Sequence, residues 1–275
     1  MRAHPATRFF VADTLAPQHP ATAAALTDAL RRCGADVATL PGTRDIWARD
    51  YMPVLTVSGQ LVQFCYSPDY LRAKRWQPTI TDGATVAQQL GLPFRPCPLV
   101  VDGGNVVSQF GRVLMTDKVL RENPTVPRAQ LLAQLADALE VDRIDLLPAH
   151  PDDFTGHADG LVQLLDERTV LLNDCRRREP VIWQRLQQAL RRAGLKGVPL
   201  PYNPYQNADY TSVVGDYLNF LRVGNALIVP VYQQAEDEAV LRCLQNLYPG
   251  VELIPLDGTA VARQGGVFHC VTWET

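Results

Sequence analysis

Turns at Gly59, Gly111, Glu167 and Gly224 recur along this chain at intervals of 52, 56 and 57 residues, each flanked by short apolar runs. A near-constant period of that size constrains the fold strongly, because it marks one supersecondary unit written several times. The repeat reads as an amphipathic helix, a short strand, a loop and a hairpin. Helical spacing predicts helices over 21–33, 85–90, 128–139, 182–193 and 236–247. Each is followed by an apolar run that reads as a strand: 35–40, 99–101, 144–147, 198–200 and 251–254. The hairpins are expected at 54–57 with 61–64, 106–108 with 113–115, 161–164 with 170–172, and 218–221 with 227–229. The fifth repeat has half a hairpin, 267–273, and the run 9–12 stands alone at the other end. A strand supplied by 9–12 would close the set and leave no unpaired edge, which favours a ring over an open array. The competing reading is an ordinary α+β domain whose elements alternate by chance.

The 275 residues suffice for a sizeable core, and 47% hydrophobic against 20% charged residues is ordinary for a folded globular chain. A net charge of −3 with only short basic clusters speaks against nucleic acid and against an anionic membrane surface as partners. No apolar run reaches spanning length, and 9–12 is too short for a signal segment. Six scattered cysteines without a Cys-x-x-Cys pair fit reduced thiols, and the expectation is a cytoplasmic protein. A homo-oligomer is compatible with this composition.

Reactive residues fall at matching places in the repeats, at or near the starts of hairpins. These are Asp45-Ile46-Trp47-Ala48-Arg49-Asp50, Asp102-Gly103-Gly104-Asn105, Asp153-Phe154-Thr155-Gly156-His157-Ala158-Asp159 and Gly265-Gly266-Val267-Phe268-His269-Cys270. Each has a plainer reading. Asp102 to Asn105 also reads as a tight turn using positive φ. Arg49 with Asp50 reads as an ion pair, His157 with Asp159 as a satisfied buried pair on a strand, and Cys270 as packing. Their common placement favours chemistry. Cys270 is a nucleophile once ionised. His157 is the natural general acid and base. Asp50 and Asp159 have no evident cation of their own in the sequence, so a substrate that carries one is expected. A planar guanidinium, with five donors and a permanent charge, suits paired carboxylates best.

Together Trp47-Ala48-Arg49-Asp50, Asp102-Gly103-Gly104-Asn105, Gly156-His157-Ala158-Asp159 and Gly265 to Cys270 resemble, in order, the motifs of the agmatine deiminase and bacterial peptidylarginine deiminase family. The resemblance runs from Asp45 to Thr272. It implies an α/β fold, a pseudo-fivefold α/β-propeller (pentein) of helix–strand–hairpin units forming one catalytic domain over 1–275, in agreement with the repeat. Carried over by position, it makes Cys270 the nucleophile, His157 the acid/base, Asp50 and Asp159 the guanidinium clamps, and Asp102 a residue lining the substrate site. Trp47, Arg49, Asn105, Gly265 and Gly266, in the same motifs, are expected to contact substrate. The chain departs from the family's usual pattern at Met52, Asp102, Gly160 and the Arg263-Gln264 approach to the cysteine. Agmatine, free arginine, peptidyl arginine or another guanidine therefore stay open as substrates.

The implied reaction is guanidine hydrolysis through a thiouronium on Cys270, without a metal or an organic cofactor. Amidino transfer to an amine shares that intermediate. A binding propeller without turnover is a third reading. The run Ala149-His150-Pro151-Asp152-Asp153 resembles the metal-binding start of zinc-dependent deacetylases, but the five histidines include no His-x-x-His pair.

Overall fold

The computed structural model describes residues 7–204 and 211–275. Among the described residues, five three-stranded sheets carry the fold. In four of them a hairpin supplies an antiparallel pair, and a crossover containing a helix adds a third strand in parallel, as a parallel neighbour requires. Two compact units divide the chain: Asp50–Tyr202, and Met1–Arg49 with Asn203–Thr275.

The unit Asp50–Tyr202 holds three sheets. Val54–Leu55 pairs with Leu61–Cys65, which runs parallel to Arg95–Val100. Val107–Gln109 pairs with Arg112–Thr116, which runs parallel to Ile144–Leu147. Val162–Leu164 pairs with Thr169–Asn173, which runs parallel to Lys196–Leu200. The second hairpin turns on Phe110 and Gly111 at φ 54 and 69, so Gln109 faces Arg112 across a two-residue loop. Two positive φ values in succession give that loop the twist of the strands it joins. In the helix Arg128–Leu139, Leu131, Leu135, Ala138 and Leu139 share one face and pack with Val113, Met115 and Ile144. Leu186 and Leu190 of Pro180–Arg192 do the same against Leu114, Val170 and Leu172.

In the other unit, Leu221–Val223 pairs with Ala226–Val231, which runs parallel to Glu252–Asp257 across the helix Glu236–Leu247. The strand Arg8–Ala12 lies between Asp36–Leu40, parallel, and Thr272–Glu274, antiparallel. The borrowed strand expected from 9–12 is therefore present. Phe10 packs on Trp273 with ring centroids 5.2 Å apart.

Several local expectations change. The strand expected over 218–221 begins only at Leu221, and that expected over 267–273 is a strand only from Thr272 to Glu274. Residues 267–271 form a helical turn instead, with the Val271 N–H donating to the Val267 carbonyl at 3.1 Å. Both apolar runs are buried, so periodicity could not distinguish a strand from a buried turn. Asp50 lies on the short helix Ala48–Tyr51 and not at a strand start, while His157 and Asp159 sit on irregular backbone before Val162. Among the described residues, no helix is long and apolar enough to cross a membrane.

Candidate active site

In the unit Asp50–Tyr202 the polar motifs converge on Gly104. Its N–H donates to Asp50 Oδ1 at 3.0 Å, and its carbonyl accepts from the Asp159 N–H at 3.1 Å. A Cβ at this position would lie 2.6 Å from Asp50 Oδ1, 2.7 Å from His157 Nδ1 and 3.3 Å from Asp159 Oδ2. The glycine is thus required for space. The positive φ expected of a Gly-Gly turn is absent from both Gly103 and Gly104, which form one 3₁₀ turn with Asn105. Asn105 braces that turn, its Oδ1 accepting from the Thr116 N–H at 2.9 Å.

His157 is held at both ring nitrogens. Nε2 lies 2.9 Å from Asp102 Oδ2, and Nδ1 lies 3.5 Å from Asp50 Oδ1. The plainer readings, an Arg49–Asp50 ion pair and a His157–Asp159 pair, give way: Arg49 pairs with Glu274, and His157 meets Asp102 and Asp50. Asp102 Oδ2 also accepts from Lys118 Nζ at 2.6 Å, and Lys118 bonds Glu122 one helical turn further on. Tyr70 presents its ring to His157 with centroids 6.1 Å apart.

Four carboxylates (Asp50, Asp102, Glu122, Asp159) and two basic groups (Lys118, His157) are buried in this cluster, so negative charge is in excess. Burial pushes the Asp50 carboxyl up to about 7, with Asp102 and Asp159 adding to the effect and His157 opposing it. Burial alone would depress the imidazole, but Asp50 and the bond to Asp102 outweigh it and raise His157 to about 9. Burial would likewise raise Asp102, yet the bonds from His157 and Lys118 hold it below the ordinary carboxylate range. Asp50, Asp102 and His157 thus tune one another's charge within a single buried cluster.

In the other unit, Cys270 lies within the turn 267–271 and is 7% exposed. Asn219 organises that turn. Its Oδ1 accepts from the N–H groups of Val267 at 2.9 Å and Cys270 at 3.2 Å, and its backbone carbonyl accepts from the His269 N–H at 3.2 Å. Two main-chain donors on one oxygen fix the orientation of the amide. Nδ2 is thereby directed at Cys270 Sγ, 3.1 Å away, where an N–H favours a thiolate. Gly266 leaves room for both neighbours, since a Cβ there would fall 2.6 Å from Trp47 Cζ3 and 3.0 Å from Sγ. Gly265 adopts φ 107 just before it. Arg49 anchors the segment: its N–H donates to the Cys270 carbonyl at 3.1 Å, and its guanidinium pairs with Glu274.

Each sequence-predicted residue thus falls in one of two groups. Asp50, Asp102, Asn105, His157 and Asp159 come together in one unit, and Trp47, Arg49, Gly265, Gly266 and Cys270 in the other. His150, the start of the deacetylase-like run, pairs with Glu179 at 3.3 Å. Sequence reasoning missed Asn219 and Lys118. Asn219 carried a weak signal as a polar residue inside the apolar run Leu218-Asn219-Phe220-Leu221. Lys118 carried none, because a lysine four residues before a glutamate reads as a solvated helix pair.

Asn219→Ala is expected to lower stability by about 1–3 kcal/mol, the usual cost of buried N–H groups left without an acceptor. Asn219→Asp keeps the acceptor but loses the donor to sulfur, so it should slow alkylation of Cys270 by iodoacetamide while altering the melting midpoint less. Equal midpoints for wild type and Asn219→Ala would refute the bracing role.

The family model for the Porphyromonas-type peptidyl-arginine deiminases matches residues 7–275. The chain belongs to that family. Among relatives of this deiminase-family chain, an agmatine deiminase of Pseudomonas syringae pv. tomato is 25% identical over 282 residues, covering 84% of this chain and 74% of the relative. Among solved structures, a cysteine-to-serine variant of C. jejuni agmatine deiminase with substrate bound aligns with a TM-score of 0.78 at 17% identity, over 98% of this chain and 92% of that one. An adduct of dimethylarginine dimethylaminohydrolase aligns at 0.60 and 15% identity, over 98% and 99%. At these identities the structural likenesses establish the α/β fold of small sheets shared with this deiminase family.

Proposed function

We propose that this chain hydrolyses a guanidino group, releasing ammonia and a ureido product, with agmatine as the first substrate to test. The observation that carries the reading is the pair of carboxylates, Asp50 and Asp159, which a Cβ on Gly104 would meet at 2.6 and 3.3 Å, in a cluster where the named carboxylates outnumber the cations. Such a cluster favours a cation, and the agmatine deiminases among the relatives point to a guanidinium. In this reading Asp50 and Asp159 hold the guanidinium nitrogens, and Cys270, as thiolate, attacks the central carbon. The C–N bond breaks as His157 gives its proton to the departing ammonia, leaving a thiouronium on sulfur. The neutral histidine then takes a proton from water, the oxygen adds to the carbon, and the C–S bond breaks to return the thiolate.

The finer architecture proposed with it is a single domain in which the five sheets form a pseudo-fivefold propeller. The repeated sheet pattern and the place of Arg8–Ala12 between Thr272–Glu274 and Asp36–Leu40 support it.

The test is ammonia release across agmatine, free arginine, a peptidyl arginine and methylated arginines, with the ureido product identified by mass. For an accepted substrate, kcat/KM should follow a bell in pH. It falls below about 7 as Asp50 takes up a proton and loses its hold on the cation, and above about 9 as His157 loses the proton it must donate. No ammonia from any member of the panel would overturn the reading.

A further inference from the structure

Lys118 is a fully buried cation in the unit Asp50–Tyr202 that the proposed chemistry leaves unused. Its side chain is fully buried at the start of the helix Lys118–Glu122. Burying an ammonium costs several kcal/mol unless its donors are met. Here Asp102 Oδ2 lies at 2.6 Å, Glu122 Oε1 is bonded, Asp69 Oδ1 lies at 3.7 Å, and the Tyr70 ring centroid lies 5.2 Å away. Asp102 and Glu122 outweigh the effect of burial and keep the ammonium charged.

The bonding at Asp102 is lopsided. Oδ2 accepts from both Lys118 Nζ and His157 Nε2, while the buried Oδ1 has no hydrogen-bond partner among the described residues. A carboxylate oxygen that serves an ammonium at 2.6 Å has less negative charge to offer an imidazolium at 2.9 Å. The lysine thereby competes with the histidine for one oxygen.

We propose that Lys118 is a positioning residue that shares Asp102 Oδ2 with His157 and so sets how firmly the imidazole holds its proton. The inference rests on the proposed role of His157 as acid and base, and it deepens that role. His157 sits among Asp50, Asp102 and Asp159, with Tyr70 against its ring and Glu122 behind the lysine. Carboxylates this numerous would make the imidazolium a poor donor, and Lys118 is the one cation opposing them among the groups named. A histidine that releases its proton to ammonia and then accepts one from water needs that opposition.

The experiment is an NMR titration of protein labelled with 15N-histidine, with the His157 signal assigned by its loss in His157→Gln. Lys118→Met is the direct variant. Because it leaves Asp102 and Glu122 buried without their cation, the decisive comparison is Lys118→Met/Glu122→Gln against Glu122→Gln. The His157 midpoint should rise by about one pH unit, a tenfold tighter hold on the proton. Lys118→Arg, which keeps the charge, should stay within a few tenths of wild type. An unchanged or lowered midpoint in the double variant, or an equal shift in Lys118→Arg, would overturn the proposal. The titration needs no turnover. An enzyme that releases no ammonia would sink the proposed function while leaving this inference to be decided by the midpoints. Where turnover is seen, the alkaline limb of kcat/KM should move with the NMR midpoint.

Discussion

Cys270→Ala is expected to reduce ammonia release by roughly 10⁴-fold or more, the scale seen when a covalent nucleophile is removed. That loss corresponds to about 5.5 kcal/mol of transition-state stabilisation. The substitution removes one sulfur atom and little else. Asn219 keeps its bonds to the main-chain N–H groups of Val267 and residue 270, so the turn 267–271 should persist. In the other unit the substitution leaves untouched the bonds that hold Asp50 to the Gly104 N–H and His157 to Asp102, so a guanidino ligand should still bind. The expected result is therefore lost turnover with retained affinity, read by ammonia assay and by calorimetry with the accepted substrate. Intact-mass measurement on quenched wild type should show a covalent adduct that the variant lacks. Turnover within tenfold of wild type would show that the sulfur is not the nucleophile.

Gly104→Ala is the second large effect. The backbone at Gly104 is one that alanine adopts freely, and in open space the change would stabilise by about 0.4–1 kcal/mol through the unfolded chain. Space decides against it. The new Cβ would meet Asp50 Oδ1 at 2.6 Å and His157 Nδ1 at 2.7 Å, and neither group is free to swing aside. Asp50 is tied to the Gly104 N–H and His157 to Asp102, so relief on either side breaks a buried bond. Overpacking of this kind costs about 1–3 kcal/mol of stability. Displacing a clamp or an acid by a fraction of an ångström costs on the order of 10²-fold in rate. Wild-type kcat/KM in Gly104→Ala would mean that the three side chains around this glycine do not meet the substrate.

The two variants probe residues that were unequally legible. Cys270, His157, Asp50 and Asp159 stood out because each is a reactive type at a recurring place in the repeat. The helices 128–139 and 236–247 and the strand 144–147 matched in extent, because apolar residues at their own period report directly on burial. Gly104 was read for the wrong reason, since a Gly-Gly pair signals positive φ and nothing local signals crowding from Asp50, 54 residues earlier in the chain. Asn219 and Lys118 escaped because their partners Cys270 and Asp102 lie 51 and 16 positions away, at spacings that no local pattern describes. Asn219 also undid the expected strand at 267–271 by taking the N–H groups that a neighbouring strand would have used.

By itself the sequence determined the repeating unit, the borrowed strand and which candidate side chains to look for. Apolar periodicity and residue chemistry are properties of short segments, and short segments are what a chain displays. The tertiary structure decided which group answers to which. Arg49 and Asp50 are neighbours in sequence, yet the guanidinium pairs with Glu274 and the carboxylate with the Gly104 N–H and His157. Burial forces every such group to find a partner, and only folding brings those partners within reach.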